Sequence, residues 1–533
     1  MLTLRERLTQ ADDTPPEVSV AIVGAGVSGM AAGLCLERHG VPFTIFEMAD
    51  EVGGTWWKNR YPGLTIDVPS PIYTFSGQRN PHWRRFLPDQ AEILAYHQAV
   101  SIQTGLRERI RFRSEVTSAR WTGVDWEVDL AGGGLERFRV LVCATGFLHH
   151  PRIPDIEGLD SFGGDCVHSA RWHDDLEVGG RRVGVIGNGS SGVQLVTVLA
   201  GVASRVVHFQ RTPQWIFPGP NFTVPAWVRR LLERRPGLME GIASCIERLA
   251  DWLLQGAATR PSARRRVLEA IARWHLRQVR DPELRRTLTP PDSALCKRPV
   301  VSSGFYGAVQ REDVEVVSSG ISRVEEAGVR TVDGTLHELD ALILATGYRA
   351  HDYMRPIQIV GEDGVELDDV WARGPFGYRT LAIPGFPNLF MIMGPHSPLL
   401  SFPVHRSAEL QSEYVAQIVE LLSRDGVVSV CVRSEAARLW LDELRAGMDG
   451  TVWTSGCTSW YLGDGEVPVV WPYDRRRWRE ILREPVLDDY EIRTAADVRE
   501  RPAPASAMWA SFATADTASS IRRHTPLRGN SVR

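Results

Sequence analysis

Two glycine-rich segments have the spacing needed to bind the pyrophosphate of a dinucleotide. The first contains Gly24, Gly26 and Gly29, follows an apolar run at 18–23, and precedes a second apolar run that leads to Glu47. Glycines at these positions allow a tight turn and a close approach of the backbone to phosphate, and a carboxylate placed like Glu47 can bind a pair of ribose hydroxyls. A glycine motif alone can be an unrelated turn, but strand, turn, helix and acid together predict a dinucleotide site.

The second segment contains Gly187, Gly189 and Gly192 and follows an apolar run at 182–186. Its next apolar run leads to Arg211 instead of an acid. An arginine here favours the 2′-phosphate of NADP, whereas a carboxylate favours the free hydroxyls of NAD or of the FAD ribose. Arg211 has a second interpretation as a solvated surface residue, because 59 of the 61 basic residues are arginine. Two such sites imply two cofactors.

Each glycine motif is followed, later in the chain, by an apolar run that ends in Ala-Thr-Gly. These runs span 140–146 and 341–347. They predict late strands that bring small residues close to the bound nucleotides. The alternative, two ordinary strand ends, does not account for the recurrence beside both motifs.

These elements predict an α/β fold with two Rossmann-like dinucleotide-binding domains, one for FAD and one for NADP, and an inserted helical subdomain. The helical part is rich in Leu, Trp and Arg and either roofs a substrate cavity or serves as a packing or dimer element. The expected parts are the N-terminal FAD part at 1–150, the first NADP part at 151–215, the helical insertion at 216–290, the second NADP part at 291–350, the C-terminal FAD part at 351–500, and a flexible tail at 501–533.

Composition excludes several other classes of protein. The 533 residues are 43% hydrophobic and 24% charged, too apolar for intrinsic disorder, and the net charge of −4 supplies no basic field for nucleic acid or anionic lipid. No apolar run reaches the roughly 18 residues of a membrane span, and residues 1–16 lack a signal-peptide pattern, so we expect a cytoplasmic protein. The seven cysteines are scattered and never spaced as CxxC, which predicts reduced thiols. No metal-binding spacing and no GxSxG occur, so we expect neither a metal site nor serine hydrolysis.

A family resemblance emerges from two further motifs. Residues 53–67 run Gly-Gly-Thr-Trp-Trp-Lys-Asn-Arg-Tyr-Pro-Gly-Leu-Thr-Ile-Asp and fill every specified position of [A/G]GxWxxxx[F/Y]P[G/M]xxxD. Residues 162–173 resemble FxGxxxHxxxW[P/D], with His173 at the last position. Both patterns are typical of type I Baeyer–Villiger monooxygenases, within the class B flavoprotein monooxygenases, and the resemblance covers 18 to about 490. Trp172 favours this family over its N- and S-oxidising relatives.

The resemblance implies a catalytic arginine at Arg298, in the segment Cys-Lys-Arg-Pro at 296–299. In this chemistry a C4a-peroxyflavin anion attacks a carbonyl carbon, and both that anion and the oxyanion formed by attack need a fixed cation where water is excluded. Arginine stays charged at any working pH and offers several directed donors. We place Asp67 beside it to orient the guanidinium; the alternative is a purely structural ion pair.

The resemblance also implies a wider set of cofactor contacts. Lys297 is expected near the NADP phosphate, and His168 is either a catalytic acid or, as we favour, a residue that fixes loop geometry. The further FAD contacts are Ser28, Thr55, Trp56, Asp67, Tyr73, Val116 and Val404, and the further NADPH contacts are Ser190, Gln194, Thr212 and Arg298.

The expected function is therefore that of an FAD-containing, NADPH- and O2-dependent Baeyer–Villiger monooxygenase. Its partners are O2 and a small ketone, bulky, hydrophobic and cyclic or aryl, which becomes an ester or lactone. We weigh two alternatives: a flavin N- or S-monooxygenase, in which Arg298 is dispensable, and a redox sensor or NADPH oxidase that releases hydrogen peroxide. Neither nucleic-acid binding nor a membrane span is expected, and the oligomeric state is left open.

Overall fold

The computed structural model describes residues 18–400, 403–424, 426–457, 459–462 and 469–499. The predicted flexible tail at 501–533 lies outside the described residues, and so do residues 1–16, where no signal peptide is expected. None of the helices in these ranges combines the length and the apolar composition that a bilayer crossing requires.

The chain alternates strands and helices in its two glycine-motif regions, and a helical segment interrupts the second region after β11. The strands are β1 (Val20–Val23), β2 (Phe43–Phe46), β3 (Ile110–Arg111), β4 (Val116–Trp121), β5 (Trp126–Leu130), β6 (Leu135–Phe138), β7 (Val140–Cys143), β8 (Asp165–His168), β9 (Arg182–Ile186), β10 (Arg205–Phe209), β11 (Ile216–Phe217), β12 (Val300–Val301), β13 (Val314–Val317), β14 (Ile321–Glu325), β15 (Gly328–Thr331), β16 (Leu336–Glu338), β17 (Ala341–Leu344), β18 (Gln358–Val360), β19 (Leu389–Met391), β20 (Val427–Val432) and β21 (Tyr490–Thr494). The α-helices are α1 (Val27–Arg38), α2 (Thr55–Lys58), α3 (Gln90–Gln103), α4 (Ser190–Leu199), α5 (Ala226–Arg234), α6 (Pro236–Ala250), α7 (Gly256–Thr259), α8 (Ala263–Leu276), α9 (Pro282–Thr287), α10 (Phe305–Ala308), α11 (Leu367–Val370), α12 (Val404–Leu422), α13 (Ser434–Gly447), α14 (Arg475–Ile481) and α15 (Ala495–Arg499).

The first large sheet is parallel and has the order β19-β7-β1-β2-β3. In its register Val23 lies between Phe46 and Cys143. All four residues of β1 are buried, as expected of a strand covered by helices on both faces of a parallel sheet. α1 makes the crossover from β1 to β2, which brings the first glycine motif to the carboxyl end of the central strand.

The second large sheet repeats this arrangement with the order β13-β10-β9-β17-β8, again parallel. Ile186 lies between Phe209 and Leu344, and α4 makes the crossover from β9 to β10. The predicted pair of Rossmann-like units is confirmed. In both sheets the strand that precedes Ala-Thr-Gly, β7 or β17, pairs directly with the strand that precedes the glycine motif.

The helical segment lies between β11 and β12, two short parallel strands that pair Ile216 with Val300. It contains α5 to α9 and a π-helical turn at Asp251–Gln255. Its inner residues, including Ala257, Leu268 and Ala272, are buried in the same apolar cluster as the β9 and α4 side chains. The helices are therefore packed onto the second nucleotide-binding unit. Three smaller sheets, β18-β4-β5-β6, β14-β15-β16 and β20-β21, lie around the two large ones.

Candidate active site

The first glycine motif forms the tight turn that its spacing predicts. Gly24 has φ of +103°, a region that L side chains rarely adopt, and a Cβ there would meet the carbonyl oxygen of Ala144 at 2.9 Å. A Cβ on Gly29 would overlap the carbonyl oxygen of Gly24. Gly24 and Gly29 therefore allow the turn to pack closely against the strand and the helix. The first Ala-Thr-Gly segment lies directly against this turn.

The second motif has the same geometry. Gly187 has φ of +113°, and a Cβ on Gly192 would overlap the carbonyl oxygen of Gly187. The carbonyl of Ala345, in the second Ala-Thr-Gly segment, lies against Gly187 just as Ala144 lies against Gly24. By contrast, the space around a Cβ on Gly189 is open. The two Ala-Thr-Gly segments thus recur because each packs on a glycine turn.

The N-termini of α1 and α4 are free to receive an anion. The residues before them, Gly26 and Gly189, make no side-chain capping bond, and neither helix has an acid in its first turn. Ser28 is buried in the first turn of α1, and Ser190 is the first residue of α4. The unpaired N–H groups and the positive end of each helix dipole therefore point to a negatively charged group such as pyrophosphate.

Glu47 lies immediately after β2 and is 5% exposed. Its carboxylate accepts hydrogen bonds from the backbone N–H of Ala25, at 2.6 Å, and of Ala49, at 2.8 Å. Glu47 therefore faces the first glycine turn. Its own carbonyl accepts from Ser114 N, two residues before the predicted contact Val116, which is buried at the start of β4.

The segment 53–67 connects the two nucleotide-binding units. Its beginning packs on the first unit, since a Cβ on Gly26 would lie 3.5 Å from Gly54 Cα. Farther along, Tyr61 contacts α4 of the second unit: its hydroxyl donates to Gln194 Oε1 at 2.9 Å. Gln194 in turn donates to the carbonyl oxygen of Thr65 at 2.9 Å. The predicted NADPH contact Gln194 is therefore used, in this structure, to hold the two units together.

An aromatic group lies between this segment and α12. Trp56, on α2 after Thr55, donates from Nε1 to the Tyr73 hydroxyl at 2.8 Å. The Tyr73 ring meets the His405 ring edge-on at 4.4 Å, next to Val404 at the start of α12. Burial raises the pKa of the Tyr73 hydroxyl, so it remains protonated. Three predicted flavin-side residues, Trp56, Tyr73 and Val404, therefore lie together.

Arg298 and Asp67 form a two-point ion pair between the segments that carry them. Arg298 Nη2 donates to Oδ1 at 3.0 Å and Nε donates to Oδ2 at 3.2 Å. The negative charge of Asp67 raises the pKa of the Arg298 guanidinium further above its usual value. The Arg298 side chain nevertheless keeps 43% of its surface exposed. It is a fixed, permanently charged group with donors left over.

Tyr461 is a neighbour of this pair that was not among the predicted site residues. It is buried at 4% exposure, and burial, opposed by the charge of Arg298, raises the pKa of its hydroxyl to about 12. A long-range neighbour of this kind has no spacing signal in the sequence.

The remaining predicted NADPH residues have different surroundings. Lys297 pairs with Asp292, Nζ to Oδ2 at 2.8 Å, so its ammonium already has one anionic partner. Arg211 follows β10 and is exposed, and the carbonyl of Thr212 accepts a hydrogen bond from Asn188 in the second glycine turn. Arg211 and Thr212 therefore lie beside the second turn, with the Arg211 charge available to a ligand.

His168 has the surroundings of a structural residue. It ends β8, is 3% exposed, accepts at Nδ1 from Ala170 N and contacts the carbonyl of Gly347 through Nε2 at 3.1 Å. Burial lowers its pKa to about 4, so it is neutral at physiological pH. It ties the linker to the second Ala-Thr-Gly segment. His173 occupies the last position of the 162–173 motif, where Pro or Asp is usual. It is at the surface and pairs with Asp175.

The expectation of reduced cysteines is wrong for one pair. Cys296 and Cys457 form a disulfide that joins positions 161 residues apart in sequence. The other five cysteines are free. The bond connects the segment of Arg298 with the segment of Tyr461. Sequence spacing gave no hint of it because the two thiols meet only when the second nucleotide-binding unit packs against the C-terminal part.

Two other side-chain groups were also absent from the prediction. His97 and His405 are buried and face each other with Nε2 atoms 3.0 Å apart, behind Tyr73. Cys35, His39 and Glu413 bring one potential metal-ligand atom each to within 4.8 Å of one another. Glu413 is also paired with Arg38, so these residues already form an ion-pair cluster between α1 and α12.

Comparison with known proteins agrees with this geometry. A family profile described as flavin-binding monooxygenase-like matches residues 17–221. An uncharacterized monooxygenase of Mycobacterium tuberculosis is 44% identical over 492 residues, 92% of this chain and 99% of that protein. A Baeyer–Villiger monooxygenase of Streptomyces coelicolor is 35% identical over 516 residues, 96% of this chain and 98% of that protein.

A solved structure, an oxidized steroid monooxygenase bound to NADP, superposes with a TM-score of 0.80 at 31% identity. The match covers 90% of this chain and all of that one. Sequence identity and fold similarity thus extend over both nucleotide-binding units and the segments between them. The chain belongs to the Baeyer–Villiger monooxygenase family of flavin-binding enzymes.

Proposed function

We propose that this protein uses FAD and NADPH to insert one atom of O2 next to the carbonyl of a ketone, giving an ester or lactone. The balance is ketone, O2, NADPH and a proton to ester, NADP⁺ and water. The observation that carries the proposal is the exposed but oriented cation: Arg298, held by two hydrogen bonds on Asp67, between two nucleotide-binding units.

The first unit fits FAD. The uncapped N-terminus of α1 suits the pyrophosphate, and Glu47, whose carboxylate is hydrogen-bonded to the glycine turn at Ala25 N, suits the ribose hydroxyls. Trp56, Tyr73 and Val404 are grouped where the 53–67 segment meets α12, which suits the flavin ring. When bound, FAD reduced by NADPH would activate O2, from which the transferred oxygen atom comes.

The second unit fits NADPH. The N-terminus of α4 is uncapped and the space around Gly189 is open to a pyrophosphate. Arg211, exposed beside this turn, offers the charge and the planar donors that a 2′-phosphate requires. Lys297 would bind phosphate only by sharing or exchanging its bond to Asp292, so we assign the larger part of the phosphate recognition to Arg211.

Arg298 stabilises negative charge on oxygen during the reaction. Its pKa, raised by Asp67, keeps it protonated throughout any working pH range, so it cannot act as an acid or a base. Its role is electrostatic: a preorganised cation loses little energy to reorientation when an oxyanion forms on the substrate carbonyl. Asp67 fixes the plane of the guanidinium through its two oxygens and leaves other N–H donors for the oxyanion.

The ketone is proposed to be bulky and hydrophobic, cyclic or aryl. Support comes from the aromatic and aliphatic residues near Arg298. Tyr461 is buried beside it, Trp460 stacks on Phe147 at 5.8 Å between ring centroids, and the indole of Trp215 packs in the same apolar cluster as the helical segment. Aromatic walls of this kind favour large apolar substrates.

The experiment is aerobic turnover with NADPH and a panel of cyclic, aryl and polycyclic ketones, a thioether and an amine, with product masses and hydrogen peroxide both measured. Wild type is compared with Arg298→Ala. The matched control is Arg311→Ala, which removes another exposed arginine paired two-point with a carboxylate, that of Asp313. We expect wild type and the control to add one oxygen to a ketone, and Arg298→Ala to lose at least about a hundredfold of that rate while still oxidising NADPH.

Each alternative function has its own result. If wild type oxidises only sulfur or nitrogen and Arg298→Ala does so equally well, the protein is an N- or S-monooxygenase. If every ketone, thioether and amine is unchanged and NADPH consumption equals peroxide release, it is an oxidase. Either result would overturn the proposed ketone oxygenation.

A further inference from the structure

The helical segment between β11 and β12 exposes an unusual amount of apolar surface. Among the described residues, nine of the large hydrophobic side chains that are exposed lie between positions 222 and 274. Trp227 is 67% exposed and Leu249 is 58% exposed. Soluble proteins expose single apolar side chains routinely, whereas a concentration of large ones on one segment marks an interaction surface.

On α6 and the π-helical turn that follows it, these side chains form a continuous line. Leu238, Ile242, Cys245, Leu249 and Trp252 are all exposed and recur at alternating intervals of four and three residues. This is the spacing of one helix face, about 20 Å long at 1.5 Å per residue. We call these five residues the outer stripe.

The outer stripe is not the face by which α6 is anchored. The opposite face of the same helix is buried through Met239, Ala243 and Glu247. On α5, Trp227 and Leu231 are exposed four residues apart, while Val228 and Leu232 are half-buried. Both helices therefore present an apolar face outward in addition to the one that anchors them.

The charges of this segment are distributed unevenly. Residues 222–280 contain 12 arginines and only five acids, although the whole chain has a net charge of −4. The net charge therefore conceals a local basic field, and the expectation that the chain offers none to an anionic lipid does not hold for this segment. Four of those acids contact the rest of the protein, where they hold the helices in place. The contacts are Glu233 with His82, Glu240 with Arg79, Glu247 with Arg475, and Asp251 with the backbone N–H of Arg475.

The arginines, in contrast, are largely left facing outward. Nine of them are exposed and have no carboxylate within ion-pair distance in the ranges that the structure describes. They are Arg230, Arg234, Arg235, Arg248, Arg260, Arg266, Arg273, Arg277 and Arg280. In addition, Arg264 lies over the ring of Trp252 at 4.5 Å, which places a cation directly beside the outer stripe.

We propose that the outer stripe and its flanking arginines bind the surface of an anionic phospholipid bilayer. Exposed Trp and Leu on one helix face, with arginine around them, is the combination by which a helix lies in a membrane interface. A second copy of this chain is a poorer partner, because it would bring two surfaces with a large excess of arginine together. The inference concerns attachment to a surface and does not depend on the proposed reaction.

The test is co-sedimentation of the purified full-length holoenzyme with vesicles of phosphatidylcholine alone or with one part in three of phosphatidylglycerol. We expect binding to the anionic vesicles and loss of that binding in high salt. Leu249→Ser combined with Trp252→Ser should weaken it about tenfold or more, because both side chains would enter the interface. Arg230→Gln combined with Arg234→Gln should weaken binding to the anionic vesicles in low salt only, because high salt already screens the contribution of these charges.

The matched control is Leu439→Ser, which removes another exposed leucine, 55% accessible, from α13. Because all the substituted residues are exposed, the variants should keep the wild-type unfolding temperature, which is measured alongside. Failure of wild type to bind anionic vesicles, or equal binding by the Leu249/Trp252 variant, would overturn the proposal. Dimerisation of wild type that the same variant abolishes, seen by light scattering without lipid, would instead identify the stripe as a self-association surface.

Discussion

At the residue scale, the pair Arg298 and Asp67 contributes orientation more than stability. An ion pair with a side chain 43% exposed contributes at most about 1 kcal/mol to folding, because solvent screens its charges. Two hydrogen bonds from one guanidinium to one carboxylate nevertheless restrict the plane of the arginine. A pair that is weak for folding but well defined in geometry is suited to hold a charge where a reaction needs it.

The disulfide between Cys296 and Cys457 leads to a prediction at the same scale. Alkylation of the denatured protein without reductant should label five cysteines, and alkylation after reduction should label seven. Because the bond joins positions 161 residues apart, its reduction should lower the free energy of unfolding by about 5 kcal/mol on the loop-entropy model.

The same stability measurements, with and without reductant, are made on Cys457→Ser. The control is Cys245→Ser, which removes an exposed free thiol. Only Cys457→Ser should abolish the response of stability to reductant. Labelling of seven cysteines before reduction would show that the thiols at 296 and 457 do not pair in the purified protein.

At the scale of elements, two βαβ units present the same three features: a glycine turn, an uncapped helix N-terminus and an Ala-Thr-Gly strand end. The strand end packs on the turn in each unit, at Gly24 and at Gly187. What differs is the end of the second strand: Glu47 comes directly after β2, whereas Gln210 and then Arg211 follow β10. The common features suit a pyrophosphate, and we expect the difference to select a ribose diol in the first unit and a 2′-phosphate in the second.

Substitutions of two glycines in the second unit are predicted to affect protein stability and NADPH binding separately. Gly192→Ala should destabilise the protein, because the new methyl group overlaps the carbonyl of Gly187. Gly189→Ala should leave the unfolding temperature unchanged, because the space around it is open, yet weaken NADPH binding about tenfold, because the methyl group occupies the approach of the phosphate.

Gly241→Ala on α6 is the control: its surroundings are open, and alanine in a helix should be neutral or stabilise by up to about 1 kcal/mol. Unfolding temperature and NADPH dissociation constant are measured for all three variants. Unchanged NADPH binding by Gly189→Ala would exclude this turn as the pyrophosphate site.

At the scale of the whole molecule, contacts that cross between the two units hold the site together. Besides Arg298 with Asp67, the Tyr61 hydroxyl lies 2.9 Å from Ser191 Oγ and the Tyr348 hydroxyl donates to Asn59 Oδ1 at 2.6 Å. The 53–67 segment is therefore shared between the two cofactor units. Charge is also separated at this scale, because the helical segment is basic while the chain as a whole is slightly acidic.

Acid sensitivity is the prediction that belongs to this scale. Burial lowers the pKa of His97 to about 3, from an unfolded value of 6.5, and lowers that of His405 as well. The unfolded chain therefore binds more protons below pH 6.5, so this contribution to stability is present above that pH and is lost as the pH falls. For His97 alone the loss is about 3 kcal/mol by about pH 4.

The measurement is the unfolding temperature of wild type, His97→Gln and His82→Gln from pH 7.5 to pH 4.5. His97→Gln should show a shallower decline than wild type, because it removes one of the buried titrating groups. His82→Gln, at a surface position with 60% of its side chain exposed, should parallel wild type. Parallel curves for all three proteins would show that His97 does not titrate in this range on unfolding.

The local sequence patterns determined both nucleotide-binding units, because their information is local. The tight turn needs glycines at fixed spacing, the strands need short apolar runs, and each predicted ribose-side residue comes within two positions of the end of its strand. Gly24, Gly187, Glu47 and Arg211 could therefore be located without a structure. The family motifs likewise pointed to Arg298 and Asp67, although these residues are 231 positions apart and no spacing rule connects them.

Only the tertiary structure decided which distant residues meet. The Cys296–Cys457 bond, the His97–His405 contact and the place of Tyr461 beside Arg298 all depend on how the C-terminal part packs on both units. The outward direction of the outer stripe has the same origin, because α6 carries apolar residues on both faces and only packing, which includes the ion pair of Glu247 with Arg475, selects the face that is buried. Periodicity specifies a helix and its faces, whereas long-range packing decides which partner each face receives.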